Sequence, residues 1–337
     1  MRPDIAEFDL DATTADDLHD YYELRRAVIA ADQPEDPPPS YDSVVGRLRT
    51  PLSGWGSCRH WVARAGGRVV GFATVGFPAP VNAHQGRTEI IVHPDLRRRG
   101  IGTELLRTVV PAIRSDSRSV VEGWAVTGSA GAAWATAVGF SAVHETVLQR
   151  LVLADLDRAA VNTEPPPGYQ LRRWQGRTSE GLIDSYARTR SGIGDAPRGE
   201  ATDQGAEWSA ERVRAAEGDL LASGVEHRVV VAVHGSSGAV VAMTEVDIYP
   251  HRPEFGYQGD TVVLEAYRGH RLGHRIKSAM LDWLRTERPG LEHIYTSSAA
   301  TNVHMLRLNE EIGFTVFRGA IEFEQDAGTV EAALARR

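Results

Sequence analysis

The sequence is poor in cysteine and in long apolar runs, and each absence excludes a class of protein. Its one cysteine, Cys58, rules out an intramolecular disulfide. The N-terminus lacks the apolar core of a signal peptide, so we expect a cytoplasmic protein. No run approaches the ~18 apolar residues that a membrane span needs. The histidines form no H-E-x-x-H array, and we predict no metal site.

Length and charge limit the possible partners. At 337 residues the chain is long enough for two domains. The formal net charge of −8 argues against a protein whose surface coats nucleic acid. A local basic loop must then bind something small. We expect a small-molecule partner, no nucleic-acid or membrane partner, and either a monomer or a homodimer.

A proline-rich segment marks the candidate domain boundary. Three consecutive prolines and a glycine occupy 165–168, and this composition is typical of a stiff, extended spacer. It predicts an N-terminal domain at 1–154, a linker at 155–168 and a C-terminal domain at 169–337.

The two halves repeat one pattern of predicted elements. Each has a hairpin, HWVARAGGRVVGFATVGF and HRVVVAVHGSSGAVVAMTEVDI. Each continues with an apolar strand, a turn rich in arginine and glycine (RRRGIG and RGHRLG), an amphipathic helix, a strand, a short helix that ends in Gly-Phe, and a terminal strand. Glu89 lies eight residues before Arg97, and Asp260 lies eight before Arg268. This predicts two duplicated α+β domains, each with a mixed, mostly antiparallel central sheet flanked by helices.

The turn between strand and helix is a candidate anion site. N–H groups at a helix N-terminus have no intrahelical partner, and the helix dipole adds positive charge. Glycines let the backbone approach a ligand closely. Neither a Walker-type loop nor a G-x-G-x-x-G fingerprint is present. A single R-x-x-G-x-G is also consistent with a charged, solvent-facing turn, but its duplication favours a binding loop.

In this order of elements, EIIVHPDLRRRGIGTELL resembles the acetyl-CoA motif of the GNAT superfamily of N-acetyltransferases. DTVVLEAYRGHRLGHRIKSAML and TNVHMLRLNEEIGF are similar to the C-terminal unit of its tandem, two-domain actinobacterial members, which have a mycothiol-synthase-like architecture. The resemblance extends over about residues 6–325. It implies an enzyme that transfers an acetyl group from acetyl-CoA to the amine of a small-molecule acceptor, by direct attack in a ternary complex.

The resemblance also implies where acetyl-CoA binds. The strand ends would pair with the pantetheine arm, and the two turns would wrap the pyrophosphate. The implied contacts of the first half are Ile91, Val92, His93, Arg97, Arg98, Arg99, Gly100, Ile101, Gly102 and Thr103. Those of the second half are Val262, Val263, Leu264, Arg268, Gly269, His270, Arg271, Leu272, Gly273, His274 and Asn302. Asn302 is also a natural helix N-cap.

The second turn departs from the pattern, because Arg271 stands where the first turn has Gly100. A left-handed backbone there would cost about 1–2 kcal/mol. In a right-handed backbone, the guanidinium could instead contact phosphate. We expect the right-handed conformation, and by motif alone the first domain is the better CoA binder.

Two carboxylates are candidate bases. An alkylammonium must lose a proton before it attacks a thioester, and the resulting oxyanion must be stabilised. The resemblance favours an acidic residue on the strand that carries the thioester, which Glu89 and Asp260 provide at matching positions. At each position, the alternative is a carboxylate that neutralises the adjacent arginines. The candidate oxyanion donors are the N–H groups of Val92 and Val263.

Neither half carries the family's usual general acid. The family's usual acid is a tyrosine four residues before the glycine of Gly-Phe, and Ala135 and Asn309 occupy that position here. Tyr295, Ser297, Ser298 or a water are the remaining candidates, and the alternative is a thiolate that leaves without an acid. Asn309 is kept as a candidate catalytic residue because it offers a polar group to the acceptor.

We expect the second domain to be the catalytic one. Its late helix carries polar residues, whereas the corresponding GSAGAAWATAV of the first domain is apolar. Two alternatives stay open. One is a non-catalytic acetyl-CoA-binding sensor, which the missing tyrosine favours. The other is an aminoacyl-transferring ligase of the same tandem fold, which the acidic net charge and the CoA-type turns disfavour.

Overall fold

The computed structural model describes residues 3–51, 54–78, 81–157, 161, 163–205 and 207–336. Over these residues, no helix is both long and apolar enough to cross a membrane. The chain forms two compact units. Unit 1 comprises residues 1–145, 199–204 and 319–337, and unit 2 comprises residues 146–198 and 205–318.

Strands and helices alternate in the same way in both halves of the chain. The strands are β1 Asp4–Glu7, β2 Ser57–Ala65, β3 Arg68–Phe77, β4 Gln85–Val92, β5 Val120–Val126, β6 Ser141–Val152, β7 Tyr169–Gln175, β8 Glu226–His234, β9 Val240–Ile248, β10 Phe255–Val263, β11 His293–Ala299 and β12 Thr315–Asp326. The helices are α1 Ala15–Asp32, α2 Tyr41–Arg49, α3 Ile101–Ser115, α4 Ala130–Val138, α5 Glu180–Ser191, α6 Ala210–Ala222, α7 Leu272–Glu287, α8 Val303–Glu311 and α9 Ala327–Ala335.

The sheet of unit 1 has helices on both faces. Its strand order is β1-β2-β3-β4-β5-β12, antiparallel except between β4 and β5. α3, α4 and α9 cover one face, where Leu105, Val109 and Ile113 are fully buried. α1 and α2 cover the other face, and Tyr21 contacts Phe72 with ring centroids 4.5 Å apart.

Unit 2 repeats these three layers. Its strand order is β7-β8-β9-β10-β11-β6, parallel only between β10 and β11. α7 packs on one face through Ile276, Met280 and Leu284. α5 and α6 pack on the other through Tyr186 and Val213. The predicted α+β class, with a mostly antiparallel sheet flanked by helices, is confirmed in each unit.

The units are not continuous in sequence, because the last strand of each half is exchanged. β12 follows α8 in the chain, but its residues 320–326 pair with β5 of unit 1. β6 follows α4, but its residues 146–152 pair with β11 of unit 2. The proline-rich segment at 155–168 lies within the sequence span of unit 2, and its residues 158–160 and 162 are outside the described residues.

Candidate active site

In each unit two parallel strands diverge before they end. The ladder between β4 and β5 stops at Thr88 and Gly123. The ladder between β10 and β11 stops at Tyr257 and Tyr295. Beyond these points the strands direct backbone groups into a gap, and such a gap can accept an extended chain as an additional strand.

The N–H groups of Val92 and Val263 point into these gaps. The next residues, His93 and Leu264, donate their N–H groups to β3 and β9 at 3.0 Å. Because successive N–H groups of a strand point in opposite directions, the preceding residues direct theirs away from β3 and β9. Both candidate oxyanion donors therefore face the gap of their own unit.

The two turns share one backbone but place their glycines differently. Each contains two residues with positive φ, Arg98 (63°) and Gly100 (83°) in unit 1, Gly269 (84°) and Arg271 (58°) in unit 2. The expectation of a right-handed Arg271 is wrong, because its backbone is left-handed like that of Gly100. Each turn holds one arginine in this strained conformation, so neither turn has the advantage on backbone grounds.

Arg97 and Arg268 fasten each turn to its strand. Nε of Arg97 donates to the carbonyl oxygen of Val92 (3.3 Å), and Nε of Arg268 makes the equivalent bond in unit 2 (3.2 Å). The guanidinium of Arg97 also donates to both carboxylate oxygens of Asp32 at 2.7 Å. Arg268 pairs with Asp195 at 3.0 Å. Both arginines therefore shape their turn, but Arg97 is half-buried whereas 52% of the Arg268 side chain is exposed.

The helix ends behind the turns fit an anionic group. α3 begins at Ile101 and α7 begins at Leu272, and neither has a side-chain cap on its first N–H groups. A Cβ added to Gly100 would meet no atom within 4 Å, so the turn is open on that side. A Cβ at Gly273 would lie 3.1 Å from Leu308, so the glycine there permits close packing against α8. The first N–H groups of two long helices are thus available to phosphate oxygens.

The other predicted contacts divide into exposed and packed residues. The exposed members of the turns are Arg98, Arg99, Gly100, Arg268, Gly269, His270 and Arg271. Thr103 accepts a hydrogen bond from the indole of Trp134 (3.3 Å). Asn302 accepts from the N–H of Met305 (3.1 Å) and is the N-cap of α8. Val262 is buried beneath α5, so only its backbone can face a ligand.

Glu89 is held as a charged carboxylate. Arg25 on α1 donates to it at 2.8 Å. Burial alone would raise its pKa, but Arg25 and Arg47 outweigh burial and lower the pKa to about 2. Next to it, burial lowers the pKa of His60 to about 4 and raises that of Cys58 to about 11. No group of this cluster is suited to exchange a proton near neutral pH.

Asp260 has the opposite electrostatic surroundings. A register shift between Gln258 and Thr261 places it at a bulge in β10, with 33% of its side chain exposed. Burial and the negative charge of Glu245 raise its pKa to about 7, which Arg190 at 3.9 Å offsets only in part. A carboxyl group with this pKa is suited to accept a proton from an amine.

Ion pairs continue from Asp260 across the hairpin of unit 2. Arg190 donates to Glu245 at 2.9 Å, and its guanidinium carbon lies 3.7 Å from the ring centre of Trp208. On β8, Nδ1 of His227 is bonded to Asp247 at 2.6 Å. The result is a network of charged groups that contains three carboxylates, one guanidinium and one imidazole.

Sequence reasoning missed these partners, although the repeat contains a signal for them. Arg25 is the eleventh residue of α1, and Arg190 is the eleventh residue of α5. Tyr21 and Tyr186 likewise share the seventh position. An alignment of the two opening helices would have identified the arginine that faces each carboxylate.

The two remaining candidates have different surroundings. Tyr295 stacks on Phe255, with ring centroids 5.3 Å apart and planes 9° apart. Asn309 is fully buried, and its Nδ2 donates to Gln149 at 2.8 Å. Asn309 therefore packs within unit 2 instead of facing a ligand, and we do not retain it as a catalytic candidate.

Two family models match the chain. Residues 56–141 match the acetyltransferase (GNAT) domain, and residues 196–314 match the acetyltransferase (GNAT) family. Together with the strand gap and the turn at a helix start in each unit, these matches define a protein built from two GNAT-type domains. The chain belongs to the GNAT acetyltransferase family. It is a tandem member, with two such domains in one chain.

Curated relatives are similar over part of their length. The mycothiol acetyltransferase of Mycolicibacterium vanbaalenii is 40% identical over 104 residues, which are 30% of this chain and 32% of that protein. The mycothiol acetyltransferase of Mycolicibacterium gilvum is 33% identical over 138 residues, which are 40% of this chain and 42% of that protein. The matches thus span less than half of either relative.

Solved structures are similar over nearly the whole chain. A tandem GNAT protein from the clavulanic acid biosynthesis pathway has a TM-score of 0.78 and 26% identity, covering 97% of this chain and 99% of its own. A GNAT acetyltransferase from Sphaerobacter thermophilus has a TM-score of 0.73 and 18% identity, covering 97% of each chain. The second likeness shows the fold alone.

Proposed function

We propose that the protein is an acetyl-CoA-dependent N-acetyltransferase that acts on the amine of a small molecule, with its chemistry in unit 2. One contrast carries the proposal. Glu89 and Asp260 stand at matching positions, yet Glu89 is held in an ion pair while the pKa of Asp260 is about 7 beside an open strand gap. The names of the mycothiol acetyltransferases among its relatives support acetyl transfer as the reaction.

Acetyl-CoA is compatible with the groups around each gap. In unit 2 the uncapped start of α7 and the turn at 268–274 would hold the pyrophosphate, and the backbone at 262–264 would hold the pantetheine arm. When bound, acetyl-CoA supplies an activated acetyl group as a thioester. The equivalent groups of unit 1, at 91–93 and 97–103, offer the same features. We infer that unit 1 binds the same cofactor without turnover.

The protein's own groups account for proton removal and charge stabilisation. Asp260 is partly exposed, and above pH 7 its carboxylate form predominates, so it can take the proton of an ammonium group. The N–H of Val263 faces the gap, where it can donate to an oxygen that gains negative charge. The position of the family's tyrosine is filled by the buried Asn309, so we assign the acid to no residue of α8.

The test compares matched variants of the two carboxylates. Asp260→Asn is expected to lower kcat at least about 100-fold, the usual magnitude of a lost general base. Glu89→Gln should leave kcat within a few-fold. Release of CoA thiol with a panel of amines is the measurement, with thermal melts to show that both variants fold. Turnover that survives Asp260→Asn but is lost in Glu89→Gln would assign the chemistry to unit 1.

The pH dependence gives a second readout of the same residue. Only deprotonated Asp260 accepts a proton, so the wild-type rate should fall as pH decreases through about 7. The residual activity of Asp260→Asn should lack this inflection. An inflection that persists unchanged in the variant would locate the base elsewhere.

A non-catalytic sensor is the second candidate, favoured by Ala135 and Asn309 at the positions of the family's tyrosine. Calorimetry with acetyl-CoA separates the readings. Binding without thiol release from any amine would support the sensor. An absence of binding would contradict both readings and leave the aminoacyl-transferring ligase.

A further inference from the structure

One face of the unit 2 sheet carries a continuous row of polar side chains across five strands. Arg150, Tyr295, Tyr257, Asp247 and His227 are direct partners on β6, β11, β10, β9 and β8. Residues opposite one another on neighbouring strands share a face of the sheet. This row has its basic and acidic ends on opposite sides of the gap between β10 and β11.

The inner end of the row is acidic. Asp247, Glu245 and Asp260 contribute three carboxylates, against the guanidinium of Arg190 and the imidazole of His227. When all three carboxylates are ionised, negative charge exceeds positive charge whichever form the imidazole takes. An ammonium group is attracted to such an end.

The outer end of the row carries two guanidinium groups. The Arg150 guanidinium carbon lies 5.5 Å from the ring centre of Phe317, and its Nε is buried without a hydrogen-bond partner. Within the described ranges, Arg150 forms no salt bridge. Arg252 adds a second guanidinium, 3.6 Å from the ring centre of Phe255 and 4.0 Å from Glu254. A guanidinium held in this way is suited to an incoming anionic group.

Aromatic rings connect the two ends. Tyr257 and Tyr295 lie with ring centroids 6.3 Å apart, and Arg252 donates to the hydroxyl of Tyr257 at 3.1 Å. Strands β10 and β6 are two strand spacings apart, or about 10 Å, and Asp260 lies three residues beyond Tyr257 along β10. The backbone positions of Asp260 and Arg150 are therefore about 14 Å apart on the diagonal. The two tyrosines lie between the acidic and the basic end.

The equivalent row of unit 1 has different chemistry. Its direct partners, in the same order, are Glu324, Glu122, Arg87, Gly76 and Cys58. Glu324 stands where unit 2 has Arg150, and Gly76 stands where it has Asp247. The two charged ends are therefore a property of unit 2 and not of the fold.

We propose that the acceptor of unit 2 is an amine that also carries an anionic group, a carboxylate or a phosphate, about 10–14 Å from the nitrogen, a range set by two strand spacings and by the offset of Asp260 along β10. The ammonium lies at Asp260 and the anion lies at Arg150, with Tyr257 and Tyr295 along the connecting chain. This substrate class rests on the proposed acetyltransferase function, which it makes more specific.

The experiment compares acceptors that differ only at the far end. Octylamine, ω-aminooctanoate and ω-aminooctyl phosphate are assayed with acetyl-CoA, on the wild type and on Arg150→Gln. We expect kcat/KM of the wild type to be about 10- to 100-fold higher for one of the anionic acceptors than for octylamine, the usual effect of a charge-assisted hydrogen bond. The anionic acceptor with the higher kcat/KM shows whether the site prefers a carboxylate or a phosphate. In Arg150→Gln the preference should vanish because KM for the anionic acceptors rises. The kinetic constants for octylamine should stay the same.

Two further variants control for folding and for charge. Arg150→Lys keeps the positive charge and should keep part of the preference. Arg172→Gln removes an exposed arginine on β7, outside the row, and should keep all of it. A preference that persists in Arg150→Gln, or no preference in the wild type, overturns the proposal while the acetyltransferase function stands.

A lack of turnover with all three amines would instead count against the acetyltransferase function. In that case the row is tested by calorimetry, which measures how tightly ω-aminooctanoate and ω-aminooctyl phosphate bind in the presence of CoA. Binding by the wild type that weakens about tenfold or more in Arg150→Gln supports the charge row. Equal binding to both proteins, or binding to neither, overturns it.

Discussion

Lys277 is the chain's single lysine, and it lies entirely inside unit 2. Its ammonium nitrogen is 5.3 Å from the ring centre of Phe314, and burial lowers its pKa to about 7. It is the sixth residue of α7. The sixth residue of α3 is Leu106, which is buried as well. The fold therefore accepts an apolar side chain at this position.

Lys277→Leu is expected to stabilise the protein by roughly 1–4 kcal/mol at neutral pH, because an apolar group replaces a buried ionisable one. The folded pKa is lowered, so between about pH 7 and 10 the unfolded state holds a proton that the folded state lacks. Wild-type stability should rise with pH over this interval, and the variant should lose that rise. Urea unfolding near pH 7 and near pH 9 measures both effects. A variant that is less stable at both pH values would contradict the prediction.

The register of the two candidate carboxylates could be predicted, but their electrostatic surroundings could not. Glu89 and Asp260 do stand at matching positions beside a strand gap, as the repeat indicated. Which of them is suited to accept a proton depends on Arg25, Arg190 and Glu245, which belong to other elements of the chain. Pairing between long charged side chains is set by tertiary packing, and no local spacing encodes it.

At the scale of elements, the two turns at 97–103 and 268–274 show that different sequences can adopt the same backbone conformation. Each turn needs two left-handed residues, and each places glycine at a different one of them. Comparison of Arg271 with Gly100 alone therefore suggested a defect in the second turn. Comparison of the whole turns shows that Arg98 carries the same strain in the first.

Arg271→Gly is expected to raise the free energy of unfolding by about 0.5–1 kcal/mol, because relief of left-handed strain exceeds the added entropy of the unfolded chain. His270→Gly is the matched control. His270 does not have a positive φ, so glycine at this position should lower the free energy of unfolding by about 0.5 kcal/mol. Chemical unfolding of the three proteins is the measurement, and equal effects of the two glycines would rule out the strain.

Most elements could be predicted from periodicity and turn residues, but the partners of β6 and β12 could not. Alternation of apolar and polar residues identifies a strand and its buried face. It does not say which strand lies beside it. Both terminal strands lie next to a chain segment of the other half, and no pattern within the repeat distinguishes this pairing from the contiguous one.

For the whole molecule, the exchange predicts that the two sequence halves do not fold separately. Residues 1–154 alone lack β12 and α9, so one edge of β5 and the face of α3 lose their cover. This fragment should lack a cooperative thermal transition. A fusion of residues 1–145 to 315–336 through a flexible linker supplies β12 and α9 again and should melt cooperatively. Circular dichroism of both proteins is the measurement, and a cooperative melt of 1–154 would contradict the exchange.

The exchanged strand also determines when unit 1 can be completed during translation. The pair of Val126 and Ala320 is separated by roughly 200 residues, which a ribosome takes about 10–40 s to synthesise. Unit 2 ends at residue 318, before the last strand of unit 1 is made. The half that emerges first is therefore the last to close. Until then the uncovered edge of β5 is exposed to chaperones and to neighbouring nascent chains.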